Sequence, residues 1–199
     1  MIKAIFFDSG NVLVKEGTIF GIKRYAETNS IDDGDLYRAM HDFSYWKDFS
    51  LGNISEEEYF KEVEKNFKGE LKLKQLRQLI LDNFVQNVEL LDYIKTLKDK
   101  YKIGVISNNP KEWFEYFSDT FGWGNIFDVV ALSSYLHIRK PDKEIFEYAL
   151  NQAGVSGKEA IYVDDRSDRI EGAEALGMKI IIFKNVADLA NELNNILKN

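Results

Sequence analysis

Five short apolar runs, each stopped by polar or turn residues, recur along the 199-residue chain. They cover 2–7, 103–106, 129–132, 160–163 and 179–183, and helical periodicity fills most of the sequence between them. Runs of this length, rich in Ile and Val, read as buried strands. Helical patterns follow over 112–121, 142–153, 166–176 and 186–197. Such alternation builds βαβ units and a parallel sheet, with right-handed crossovers placing helices on both faces. The expected fold is α/β: a Rossmann-like three-layer core with a central parallel sheet, plus an inserted helical cap.

The insertion is expected between the first two strands. The stretch from Lys15 to Asn87 shows several helical patterns and no convincing strand, and it is far longer than the dozen or so residues a crossover needs. Ser55 with Glu58 has the spacing of a capping box opening a helix over 56–67. A helix over 88–100, with Leu90, Leu91, Ile94 and Leu97 on one face, returns the chain to the sheet. The expected division is therefore 1–14 with 88–199 as the core and 15–87 as the cap.

The formal net charge of -7 argues against a nucleic-acid partner, which usually demands a basic stripe. It does not exclude an anionic small molecule, because local charge at a site can oppose the global sign. With no cysteine there is neither a disulfide framework nor a thiolate metal site, which suits a reducing cytoplasm. No run approaches the roughly 18 apolar residues of a membrane span. Asp8 would interrupt the apolar core of any signal peptide, so no export signal is expected.

Candidate chemistry collects at strand ends. Asp8 follows the first run, where the crevice at the carboxyl edge of a parallel sheet binds ligands. A carboxylate there serves as nucleophile, as metal ligand, or simply as a cap for the following turn. Ser107, Asn108 and Asn109 end the second run. Their hydroxyl, amide and backbone N–H groups suit phosphate oxygens at a helix N-terminus, or else cap that helix. Lys140 stands before Pro141 and an amphipathic helix. Asp164 and Asp165 are adjacent acids that repel each other unless something positive binds; they serve either a cation such as Mg²⁺, which typically takes one or two carboxylates together with phosphate oxygens, or the N-terminus of the following helix.

In this order the segments resemble the haloacid dehalogenase superfamily, in the branch with a small helical cap. Asp8-Ser9-Gly10-Asn11-Val12-Leu13 is similar to its first motif, and Ile106-Ser107-Asn108-Asn109 to its second. Arg139-Lys140-Pro141-Asp142 with Ile145-Phe146 resembles the third, and Val163-Asp164-Asp165 with Glu171-Gly172-Ala173 and Gly177 the fourth. Phe49, Gly52, Ile54, Ser55 and Glu58 resemble caps of that branch. The resemblance implies a Mg²⁺-dependent phosphatase acting on a small phosphorylated metabolite through an aspartyl-phosphate. It makes Asp8 the nucleophile and Lys140 the neutralising cation. Ser107 and the N–H of Asn108 then bind the phosphoryl group, and Asp8, the Gly10 carbonyl, Asp164 and Asp165 hold the metal.

Three positions depart from the pattern. Most phosphatases of the family carry a general-acid Asp where this chain has Gly10, although a Gly-Asn version resembles the sugar-1-phosphate phosphatases. An Asn commonly found after the fourth motif is Arg169, which is expected to point away or to orient a neighbour. Tyr135-Leu136-His137-Ile138 replaces a segment in which relatives often show Glu and Gly, making His137 a candidate substrate contact as well as an ordinary surface histidine. The aromatic stretch Tyr37, His41, Phe43, Tyr45, Trp46 and Phe49 offers either substrate contacts or packing for the cap. Metal-free dehalogenation is disfavoured, because two carboxylates would face a departing halide. The alternative is a catalytically impaired phosphate-binding or regulatory protein that has lost its general acid.

Overall fold

A computed structural model describes residues 1–41, 43–67 and 69–198, with the backbone alone at Phe43. Its centre is a five-stranded parallel sheet of β1 (Ala4–Phe7), β4 (Lys102–Ser107), β5 (Val129–Leu132), β6 (Ala160–Asp164) and β7 (Lys179–Ile182), in the order β5-β4-β1-β6-β7. β1 lies between β4 and β6, with Phe7 beside Val105 and Val163. The chain first builds outward on one side of β1 and then crosses to the other. That reversal opens the crevice in which such sheets bind ligands.

Period-two alternation sends successive side chains to opposite faces. Ile5, Phe7, Ile103, Val105, Ile161 and Val163 belong to one apolar cluster, with Leu90, Ile94, Trp113, Phe117, Leu189 and Leu193. Ala4, Phe6, Ile106, Ala160 and Tyr162 belong to another, with Ile145, Phe146, Ala149 and Ala173. The helices supplying these residues are α6 (Val88–Leu97), α7 (Lys111–Phe121) and α11 (Val186–Leu197) on the first face, and α9 (Lys143–Ala153) and α10 (Glu171–Ala175) on the second. A one-turn α8 (Ser133–Leu136) follows β5. The fold is the expected three-layer α/β arrangement.

Between β1 and α6 stand α1 (Thr18–Asn29), α2 (Asp33–Met40), α3 (Phe43–Ser50), α4 (Glu56–Phe67) and α5 (Leu73–Asp82). The capping box forms as read: Ser55 N and Oγ both donate to Glu58 Oε2 at 2.8 Å, and Glu58 N donates to Ser55 Oγ at 3.2 Å. One expectation needs correcting. The segment does hold strand structure, because β2 (Val14–Lys15) pairs antiparallel with β3 (Val85–Gln86). Two-residue strands are too short to show an alternation, which is why no periodicity revealed them. The helix expected over 166–176 is also broken, into a 3-10 turn at Ser167–Arg169 and the short α10. At Gly172 a Cβ would stand 2.4 Å from the Pro141 carbonyl oxygen, so α10 packs directly on the turn that carries Lys140.

The inserted helices share the first face's apolar core. Phe49 stacks on Tyr59 with centroids 4.6 Å apart, and Trp46 and Phe49 both approach Trp113 of α7, at 5.4 and 6.0 Å. Most of this part of the aromatic stretch is packing. Tyr37 and His41 stack on each other near the surface instead, 3.9 Å apart, and the Phe43 side chain lies outside the described residues. Phe49 is 1% exposed. Phe49→Ala is therefore expected to cost roughly 3–5 kcal/mol, read as a lowered urea midpoint with little change in slope. No described helix is long and apolar enough to cross a membrane.

Candidate active site

Strand ends bring the polar residues together. Asp8 leaves β1, Ser107 ends β4, Asp164 ends β6, and the loop after β5 and α8 delivers Lys140. The Lys140 side chain is 2% exposed, and its Nζ lies 2.9 Å from Asp8 Oδ1 and 2.7 Å from Asp164 Oδ2. A lysine so deeply buried is tolerable only when paired.

The loop is held from both sides. Asn108 Oδ1 accepts from Lys140 N at 2.8 Å, and Asn108 Nδ2 donates to Lys140 O at 3.0 Å. Arg169 Nη1 donates to the same carbonyl at 3.3 Å, so Arg169 orients the Lys140 turn. Ser107 is buried, and its Oγ accepts from Asn109 Nδ2 at 3.3 Å. Asp8 Oδ1 accepts from Ser9 N at 2.7 Å. The Ser9 carbonyl takes N–H bonds from Val12, Leu13 and Val14, which curls the turn behind Asp8. At Gly10 an added Cβ would meet nothing within 4 Å.

Two participants escaped the sequence reading. Tyr162 sits under the site, accepting from Lys140 Nζ at 2.6 Å and donating to Asp164 Oδ2. Residues two apart on a strand share a face, so its spacing from Asp164 was the available signal. Asn11, in a left-handed backbone conformation at φ 53°, donates Nδ2 to Asp165 Oδ2 at 3.3 Å. His137 stands outside the cluster on the surface, its Nδ1 3.3 Å from Asn53 Oδ1.

One carboxylate oxygen from each of Asp8, Asp164 and Asp165 lies within 4.8 Å of the other two. Burial pushes the Asp8 carboxyl up, and Asp164 adds to this while Lys140 opposes it. Asp165 is pushed up to about 6, by burial and then by the charges of Asp8 and Asp164. For Asp164 burial acts in the same sense, but Lys140, Tyr162 and Arg166 N together hold its carboxyl below the usual value. Three carboxylates thus share one ammonium, and all the donors are hard oxygens. That set fits a divalent cation such as Mg²⁺ and leaves Asp165, which lacks a cationic partner among the described residues, best placed to accept it.

Comparison with known sequences decides the lineage. The profile of the haloacid dehalogenase-like hydrolases matches residues 47–183. The chain belongs to the haloacid dehalogenase-like hydrolase family. Among relatives of this hydrolase, it is 29% identical to a D-ribitol-5-phosphate phosphatase of Bacteroides thetaiotaomicron, over 99% of each chain. It is 30% identical to a glyceraldehyde 3-phosphate phosphatase of Methanocaldococcus jannaschii, over 89% of this chain and 83% of that one. Its fold matches a HAD-like hydrolase of Porphyromonas gingivalis at a TM-score of 0.81 with 24% identity, over 100% of this chain and 99% of that one. It also matches a HAD family enzyme of Bacteroides thetaiotaomicron solved with magnesium and inorganic phosphate, at a TM-score of 0.79 with 21% identity, over 95% and 99% of the two chains.

Proposed function

We propose that this hydrolase is a Mg²⁺-dependent phosphatase of a small phosphorylated metabolite, a sugar phosphate or similar compound, working through an aspartyl-phosphate. The observation that carries the reading is the Asp8–Lys140–Asp164 cluster at the sheet's carboxyl edge, with Asp165 beside it. The named phosphatase relatives support the same reaction class. In this reading residues 15–87 form a cap that selects the substrate, over a core of 1–14 and 88–199.

Asp8 attacks phosphorus and forms the acyl phosphate as the ester oxygen departs. Lys140 stabilises Asp8 and charge on the phosphoryl oxygens, while Ser107 Oγ and Asn108 N–H position those oxygens. Water then attacks phosphorus and releases phosphate, regenerating the Asp8 carboxylate. Asp8, the Gly10 carbonyl, Asp164 and Asp165 would hold Mg²⁺, which supplies further positive charge against the phosphoryl group. Positioning and electrostatic stabilisation dominate phosphoryl transfer, and this cluster provides both.

Hydrolysis of p-nitrophenyl phosphate tests the reading, because that leaving group needs little protonation. Turnover with Mg²⁺ is expected, and its absence across a panel of phosphate monoesters would favour the impaired phosphate-binding alternative. Gly10 sharpens the test. With no carboxylic acid there, rates are expected to fall steeply as leaving-group pKa rises, with aryl and anomeric phosphates fast and glycerol phosphate slow. An added Cβ at Gly10 meets nothing within 4 Å, and Gly10→Asp is expected to raise alkyl-ester turnover by about 10²–10⁴-fold, the usual contribution of a general acid. A shallow slope that Gly10→Asp leaves unchanged would mean that another group already transfers the proton.

A further inference from the structure

Asn11 stands where the inserted helices join the sheet. The chain leaves the sheet through residues 8–17 and returns through 83–88, and the two stretches lie side by side. Besides the pairing of β2 with β3, Asn87 N donates to the Leu13 carbonyl at 2.9 Å and Asn87 Nδ2 to the Val12 carbonyl at 3.0 Å. At Gly17 a Cβ would come within 2.4 Å of the Asn83 carbonyl carbon and of Phe84 N. The stretch entering α1 therefore lies tight against the one leaving α5, and Glu16 sits at this crossing. Its N–H donates to Asn11 Oδ1 at 3.2 Å, and its Oε1 accepts from Thr18 N at 2.7 Å, at the first turn of α1.

The other end of the Asn11 side chain faces the chemistry, with Nδ2 donating to Asp165 Oδ2 at 3.3 Å. The residue type suits both bonds at once. Glu16 N can only donate and an ionised Asp165 can only accept, so the bridge needs one acceptor and one donor on a short side chain. An Asp would serve Glu16 but set another carboxylate against Asp165. A Gly would fit the backbone at φ 53° but reach neither partner. Asn11 is exposed, so its two bonds, rather than packing, orient its side chain. Asp165 forms no ion pair among the described residues, which leaves the aim of its carboxylate to hydrogen bonding. Partners of that kind orient metal-binding carboxylates.

We propose that Asn11 is a positioning residue that aims Asp165 at the cation and joins it, through Glu16, to the base of α1. Cation binding and the seating of the inserted helices are then linked. Whatever fixes Asp165 also fixes Asn11 and the Glu16 N–H, and by reciprocity a settled hinge favours the cation. This rests on the Mg²⁺-dependent reading and adds a control on the same site.

Calorimetric Mg²⁺ titration and amide hydrogen exchange, both without substrate, provide the test. In Asn11→Gly, which the left-handed backbone accommodates, the Mg²⁺ dissociation constant is expected to rise about 10–100-fold, the usual effect of losing such a partner. Chemical denaturation of the metal-free variant should confirm that it is folded. In the parent, saturating Mg²⁺ should slow exchange at the Glu16 amide by at least about fivefold, the lower end of common coupling factors. Asn11→Gly should lose that response. A merely structural role would speed exchange in the variant while leaving the response to Mg²⁺ in place. An unchanged dissociation constant in folded Asn11→Gly overturns the role. So does a Glu16 amide indifferent to Mg²⁺ in the parent, a measurement that needs no variant, or equal slowing in parent and variant. Failure of the metal reading shows separately, as a parent that binds no Mg²⁺, and it takes this role with it.

Discussion

Asp8→Asn is expected to yield a folded protein whose turnover of phosphate monoesters falls to background, a loss on the order of 10⁴–10⁶-fold as for other removed nucleophiles. The amide is nearly isosteric with the carboxylate but cannot form an acyl phosphate. Folding should survive, because Lys140 keeps its 2.7 Å bond to Asp164 and one source of like-charge repulsion disappears. Thermal unfolding of the variant should therefore match or exceed that of the parent. Beryllofluoride with Mg²⁺ should bind the parent and fail to bind the variant. Wild-type rates in Asp8→Asn would end the assignment of a covalent intermediate on this residue.

Excess chelator is expected to silence the enzyme and added Mg²⁺ to restore it, and the two adjacent acids should respond differently to substitution. Asp164 is fully buried and bonded to Lys140, Tyr162 and Arg166 N. Asp165 is half-buried, and its Oδ2 accepts a 3.3 Å bond from Asn11 Nδ2. Asp164→Asn disturbs a buried ion pair and is expected to lower stability, by up to about 3–5 kcal/mol. Asp165→Asn removes a carboxylate that its neighbours already repel, so the metal-free protein should be no less stable. Its activity should nevertheless fall by at least ~10²-fold, reflecting several kcal/mol of metal-borne charge stabilisation. Chemical denaturation and Mg²⁺ titration of both variants check the contrast. Full activity in excess chelator would favour metal-free chemistry and remove Asp164 and Asp165 from the metal role.

The five central strands were legible because each is a continuous apolar run ending at a polar break. Three such breaks carried Asp8, Ser107 and Asp164, which parallel pairing brings together, while Lys140 arrives on the loop beyond α8. The Asn108 side chain was not legible as a clasp, because its partner is the main chain of Lys140, which belongs to a distant segment. Tyr162 looked like one more apolar strand residue, and only packing reveals that its hydroxyl joins Lys140 to Asp164. The break near Ile170 arises from the close approach of Gly172 to Pro141, a constraint between segments that local periodicity cannot carry. His41 and His137 stood out as the only imidazoles. His41 proved to be stacked on Tyr37, with burial pushing its pKa down.

The short ribbon of β2 and β3 bears on the order of assembly. Ala4 must find Lys102 across the whole length of the inserted helices before the sheet's centre can form. Closing so long a loop in one step carries an entropic cost that grows with the logarithm of its length. When Val14 meets Gln86 first, the helices become a closed side loop and the remaining search shrinks to two short connections. The ribbon then acts as a clasp that shortens the kinetic path to the β1–β4 pairing. Weakening it should slow folding more than it speeds unfolding, the signature of contacts already made in the transition state.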